Sequence, residues 1–158
     1  MGDNGLDETI ENILEQSPKT DAIIIESSGI AEPSEIKRMV ITSRVKDISY
    51  GGLVYVVDAK NYQEIKKLHP NIKEHIQTAD CLVLNKIDGV KSDDEAATVK
   101  DCKAVNQTAP IIKTQFGEVD PRILFDIETV GQQQLTLAHS HDDHSSHMHA
   151  RYIAFTFQ

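Results

Sequence analysis

Scarce cysteine, no cationic cluster and no long apolar run delimit this chain before any motif is read. Cys81 and Cys102 stand far apart with no C-x-x-C pair, which excludes a disulfide framework or a thiolate zinc site built within the chain. Cys81, inside D-C-L-V-L-N, reads as a small buried apolar residue. Sixteen lysines and arginines face 25 acids, the formal net charge is −9, and no basic block occurs. The electrostatic footprint of a nucleic-acid binder, or of a protein drawn to anionic membrane, is therefore missing. A cation or an acid-tolerant protein is the better partner. Apolar runs such as 23–25 and 53–57 fall far short of the ~20 residues that span a bilayer. Met1-Gly-Asp-Asn-Gly opens nothing like a signal peptide. These absences predict a cytoplasmic protein without a membrane span.

What is present suits a single α/β domain with short appendages: 158 residues, 39 % of them hydrophobic and 26 % charged. Leu6, Ile10, Ile13 and Leu14 form the stripe of an amphipathic helix that Ser17-Pro18 stops. Residues 21–26 then read as a strand apolar on both faces, the pattern of a central parallel strand covered by helices. Pro33 suits the first turn of a helix through Ile36, Met39 and Val40, where its missing amide proton is not needed. After Gly51-Gly52 comes a second apolar strand, G-L-V-Y-V-V-D, ending at Asp58. Residues 61–79 carry apolar residues at helical spacing, broken at His69-Pro70. A third strand, D-C-L-V-L-N, ends at Asn85, a helix starts at Ser92, and a short fourth strand covers 110–113. Asp120-Pro121 opens a last helix through Ile123, Leu124 and Ile127.

Alternating strands and helices make a parallel sheet whose ligands gather at the carboxyl ends of the strands. Attention therefore falls on the residues at those ends: Glu26-Ser-Ser-Gly, Asp58, Asn85-Lys-Ile-Asp88 and Thr114. Asn85-Lys86-Ile87-Asp88, directly after a buried strand, suits guanine recognition. An aspartate accepts hydrogen bonds from guanine N1–H and the 2-amino group, which adenine cannot offer, and a buried group left unpaired costs ~1–3 kcal/mol. Asn85 would hold the neighbouring loops and Lys86 would cover the ring; the bland alternative is an ordinary turn. Glu26-Ser27-Ser28-Gly29 sits where nucleotide hydrolases put the acidic strand end facing magnesium and the γ-phosphate. There Gly29 lets the backbone approach a phosphate and Glu26 can hold a metal-bound water. A strand-to-helix loop with a capping side chain explains the same residues. The two serines are not in G-x-S-x-G, so a serine hydrolase is set aside.

The order E-S-S-G-I-A-E-P, V-V-D-A, N-K-I-D, then a histidine-rich stretch leading into a fresh strand, closely resembles the CobW-like P-loop GTPases. These are relatives of the urease and hydrogenase nickel accessory GTPases, and the resemblance covers residues 6–158. It implies a GTP-dependent metallochaperone or metal-insertion factor that uses GTP/GDP with Mg²⁺, carries Zn²⁺, Co²⁺ or Ni²⁺, and serves a metalloprotein or cobalt-chelatase-type client. By match, Glu26 and Gly29 belong to the magnesium and γ-phosphate side. Asn85, Lys86 and Asp88 belong to the guanine, with Thr114 near the fifth-motif loop. Asp58 takes a structural, capping or nucleotide role. The phosphate loop G-x-x-x-x-G-K-[ST] and the family's C-x-C-C motif do not occur in the sequence. The chain is thus read as a P-loop GTPase-like domain without its first strands over 1–130, a linker over 131–150, and over 151–158 the first strand of a further domain. In P-loop folds the missing strand lies beside the one carrying Glu26. Its absence would leave open edges that invite a homodimer. The alternative is a non-catalytic metal-binding or interaction module.

His139, His141, His144, His147 and His149 interleave with Asp142 and Asp143 in eleven residues. Such a series can offer zinc, cobalt or nickel three or four imidazoles without preset geometry. A purification tag or a solvated linker are the plain alternatives, but the spacing and the strand beyond it are unlike a tag. Ordering entropy and protons oppose binding, so affinity is moderate and falls below about pH 6.5. Deleting residues 138–150 is expected to abolish most weak zinc or nickel binding in a calorimetric titration. Undiminished binding would move the metal site elsewhere.

Overall fold

A computed structural model describes residues 4–28 and 31–122 and the backbone of 152–157. The order is α1 (Asn4–Gln16), β1 (Ala22–Glu26), α2 (Pro33–Ile41), β2 (Ser49–Asp58), α3 (Tyr62–Leu68), α4 (Ile72–Thr78), β3 (Cys81–Asn85), α5 (Ser92–Val105), β4 (Ile111–Lys113) and β5 (Tyr152–Phe157). Pro33 opens α2 and His69 follows α3, as the sequence leads one to expect. Strand β2 begins earlier than its apolar run, at Ser49. Gly52, at φ 118, takes up an irregularity in its pairing that a side chain with a Cβ would resist.

The strands form one parallel sheet in the order β1-β5-β2-β3-β4. The steps β1 to β2, β2 to β3 and β3 to β4 run the same way across the sheet. Right-handed crossovers that all step one way put their helices on one face. The main core follows that rule: Ile10 of α1, Val40 of α2, Tyr62 of α3, Ile76 of α4 and Cys102 of α5 close over Leu53, Tyr55, Val57, Leu82 and Leu84. Their neighbours on the strands point the other way. Val54, Cys81 and Val83 form a second, smaller cluster with Val56, Ile112 and Val119.

Two expectations change. Strand β1 is not central but pairs, among the described residues, only with β5. Ile23 and Ile25 pack on the main core while Ile24 is 61 % exposed, because the helices cover only one face. The final stretch, read from the sequence as a strand, lies between β1 and β2 and pairs with both: Ala22–Glu26 meets 152–156, and Val54 meets Thr156. The open edge expected beside the Glu26 strand is filled. The expected helix beyond Asp120 falls, from residue 123 onward, outside the described residues, as do Gly29 and the histidines 139–149.

Two polar centres fix the layers. At the amino end of β3, Asp80 accepts from Lys37 Nζ at 2.7 Å, from Leu53 N at 2.8 Å and from the Tyr50 hydroxyl. Together these tie α2, β2 and β3. Burial and this carboxylate push the Tyr50 hydroxyl far above its ordinary pKa. At the end of α5, buried Asn106 donates to Ile76 O at 2.8 Å and Ala79 O at 2.9 Å and accepts from Ala109 N at 3.0 Å. One amide therefore closes α4 and starts the approach to β4. Asn106→Ala leaves those buried groups unpaired and should cost about 2–3 kcal/mol. A urea midpoint that does not fall, at unchanged slope, would contradict this reading.

Candidate functional site

Because the strands are parallel, their carboxyl ends share one edge of the sheet. Glu26 ends β1, Asp58 ends β2 and Asn85 ends β3, and the β2–β3 register sets Asp58 directly beside Asn85. With neighbouring strands about 4.8 Å apart, β1 lies about 14 Å from β3, three steps along the sheet.

The Asn85 side chain joins two loops. Its Oδ1 accepts from Lys86 N at 2.8 Å and from Gly117 N at 3.1 Å, across 32 residues of sequence. Thr114 continues the same connection. Its amide donates to Leu84 O at 2.9 Å, its carbonyl accepts from Ile87 N at 3.3 Å, and its hydroxyl donates to Glu118 O at 2.7 Å. The side chain is 4 % exposed. Thr114 therefore sits under the turn and shapes it. Gly117 and Phe116 occupy left-handed backbone, at φ 71 and φ 54. Neither stands out in the sequence; the only signal is a glycine a few residues beyond the end of the short strand.

Lys86 is also left-handed, at φ 63, and its Nζ reaches Asp58 Oδ2 at 2.8 Å. Asp58 is fully engaged, because Oδ1 accepts from the amides of Lys60 and Asn61 at 3.0 and 3.1 Å and Oδ2 also accepts from Asn61 Nδ2 at 3.0 Å. The carboxylate thus serves the loop into α3 and anchors Lys86, the structural role among those open to it. Asp88, in the 3₁₀ turn Ile87–Gly89, is exposed and has no hydrogen bond or ion pair among the described residues. Its carboxylate is available to an external donor.

At the other end of the edge, Glu26 is exposed. Next to it, Ser27 Oγ is buried with no hydrogen-bond partner among the described residues. A buried hydroxyl without a partner is costly, and the acid and hydroxyl together suit a hydrated cation or a phosphate oxygen. In the loop beyond, Glu32 Oε2 is likewise buried and without a hydrogen bond, 3.7 Å from His75 Nε2. A cavity of about 740 Å³ opens here, bounded by Glu32, Asp58, Tyr62, His75, Asn85 and Lys86. Tyr55 borders it, packed edge-on against His75, and burial raises its hydroxyl to about 12. It is therefore neutral and a proton donor near neutral pH.

The Asp58 carboxyl is pushed up by partial burial. Hydrogen bonds from Lys86 and Asn61 outweigh this and hold it below the ordinary carboxylate range. The folded value is the lower one, so the stability this group adds is complete above about pH 4 and is lost as the pH falls through the folded value. Lys86 is half exposed, which limits the contribution to about 1 kcal/mol. Asp58→Asn is expected to flatten the acid limb of the stability profile measured by urea midpoints. A variant that loses stability in acid as steeply as the parent would exclude Asp58 as the source.

Comparison with known proteins matches this frame. The family model described as the CobW/HypB/UreG nucleotide-binding domain matches residues 3–113. The zinc-regulated GTPase metalloprotein activator 1 of Schizosaccharomyces pombe is 33 % identical over 135 residues, which cover 83 % of this chain and 33 % of that protein. The chain thus spans about a third of the length of that curated relative. No solved structure matches it. Among the described residues, no helix is long and apolar enough to cross a membrane. The chain belongs to the CobW/HypB/UreG nucleotide-binding-domain family.

Proposed function

We propose that this chain is the base-recognising part of a GTP-dependent metallochaperone, in which guanine-nucleotide binding and hydrolysis govern the delivery of zinc or cobalt to a client metalloprotein. The observation that carries the reading is the Asn85 side-chain carbonyl, which joins the N-K-I-D strand end to the turn after β4 and leaves Asp88 free to accept. In this reading Asp88 accepts from the guanine edge, Asn85 and Thr114 hold the two loops, and Lys86, tied to Asp58, limits the space beside the base. Glu26 and the Ser27 hydroxyl, which has no hydrogen-bond partner among the described residues, would serve the magnesium and γ-phosphate side, to which the motif also assigns Gly29 and where a bound magnesium ion would neutralise phosphate charge. The histidines 139–149 supply weak capture of Zn²⁺, Co²⁺ or Ni²⁺. A cytoplasmic protein whose client is a metalloprotein or a cobalt-chelatase-type enzyme fits this chemistry. Homodimers would form through the side of β1 away from β5, which pairs with no strand among the described residues, and a monomer by light scattering at the assay concentration would exclude them.

A second reading has its own observation: G-x-x-x-x-G-K-[ST] does not occur in these 158 residues. By itself the chain would then be a non-catalytic metal-binding or interaction module, with hydrolysis confined to a longer protein. Calorimetry with GTP and magnesium, then with zinc, separates the two. Micromolar GTP binding removes the module reading, and zinc binding without nucleotide removes catalysis from this chain. In the longer protein, Asp88→Asn is expected to weaken GTP roughly 10- to 100-fold, from the ~1–3 kcal/mol of an unpaired group, and to favour the xanthine nucleotide. Unchanged GTP preference takes Asp88 out of the site.

A further inference from the structure

The contacts assigned so far read the edge of a purine and, through Lys86, cover one face of its ring; nothing yet serves the other face. Phe116 is 79 % exposed, more than any other large hydrophobic residue described. A single exposed apolar side chain is ordinary, but this one is not on a loose loop. Its backbone is held at φ 54, a region that a residue with a Cβ seldom adopts unless its surroundings impose it. Here they do. Gly117 N donates to Asn85 Oδ1 at 3.1 Å, Glu118 N to Gln115 O at 3.1 Å and Thr114 Oγ1 to Glu118 O at 2.7 Å. The turn is thereby fixed to the same asparagine that begins N-K-I-D, and it keeps a phenyl ring in water one residue from that tie. No packing among the described residues accounts for the cost.

We propose that Phe116 is the stacking platform for the purine, so that Phe116 sets how tightly a nucleotide is held while Asp88 sets which base is chosen. The inference rests on the guanine reading above and adds a residue that it did not contain. Stacking on an aromatic ring tolerates any base, because every base offers a π-face. Loss of the ring should therefore weaken purine nucleotides together without changing their ratio.

The chain has no tryptophan, so Phe116→Trp installs a single indole at the site. Its emission is expected to be quenched saturably by GTP and GDP, and not by ribose 5-triphosphate, which has the phosphates without the base. In saturation-transfer NMR on the full chain, Phe116→Ala should raise the Kd for GTP about tenfold, with an unchanged guanine-to-adenine ratio. Phe116→Trp should restore the affinity. If the parent chain binds GTP and Phe116→Ala binds it equally well, or the indole emission of Phe116→Trp stays constant while NMR reports bound GTP, the platform is overturned and the Asn85–Asp88 reading survives. If neither the parent nor Phe116→Trp binds GTP up to its solubility, the base-site reading falls and the platform with it.

Discussion

The parallel pairing of β2 with β3 is the constraint on which the rest of the site depends. Both strands are buried on both faces, Leu53 and Val54 in one strand and Leu82 and Val83 in the other. A slip of one residue would exchange the two faces along the whole strand, driving the side chains of the main core into the smaller cluster behind the sheet. The register is thus held by packing far from any ligand. Its product at the carboxyl edge is the adjacency of Asp58 and Asn85. From that pair the local structure spreads outward: Asp58 gathers Lys86 and the start of α3, and Asn85 gathers the turn at Gly117.

The winding of the chain explains the asymmetry of the sheet. Successive crossovers step in one direction, so the helices of the described residues share a face and build the larger core there. The opposite face is closed around Val54, Cys81 and Val83 and open at Ile24. Strand β5 joins the two halves of the sheet, since β1 meets β2 only through it. The two acids at the ends of β1 and β2 are therefore a strand's width further apart than direct pairing would make them, about 10 Å instead of about 5 Å. A ligand that touched both ends of the edge would have to reach across that width.

Much of this is legible in the sequence because it is local. Apolar spacing identifies the helices, Pro33 and His69-Pro70 their limits, and continuous apolar runs the buried strands β2 and β3. The motif N-K-I-D marks its strand end without help from structure. What escapes is whatever depends on distant partners. Ile23-Ile24-Ile25 has the same composition in a central strand as at an edge, so by sequence β1 reads as a strand covered on both sides. Nothing near residues 152–157 announces that they pair with residues more than a hundred positions earlier. The tie from Asn85 to Gly117 spans two elements, so neither Phe116 nor the structural duty of Thr114 can be read from adjacent residues. Asp58 stays between several roles until its four hydrogen bonds are seen.

The two cysteines acquire a meaning from their burial. Cys81 and Cys102 are 0 % and 2 % exposed, and desolvation pushes their thiols up to about 12 and about 11. At neutral pH the reactive thiolate is then at most on the order of one molecule in ten thousand. A soft metal ion reaching the described surface meets carboxylates and imidazoles, which exchange ions readily, and does not meet sulfur that would retain them. In the described fold both thiols therefore act as small apolar packing groups and not as surface metal ligands.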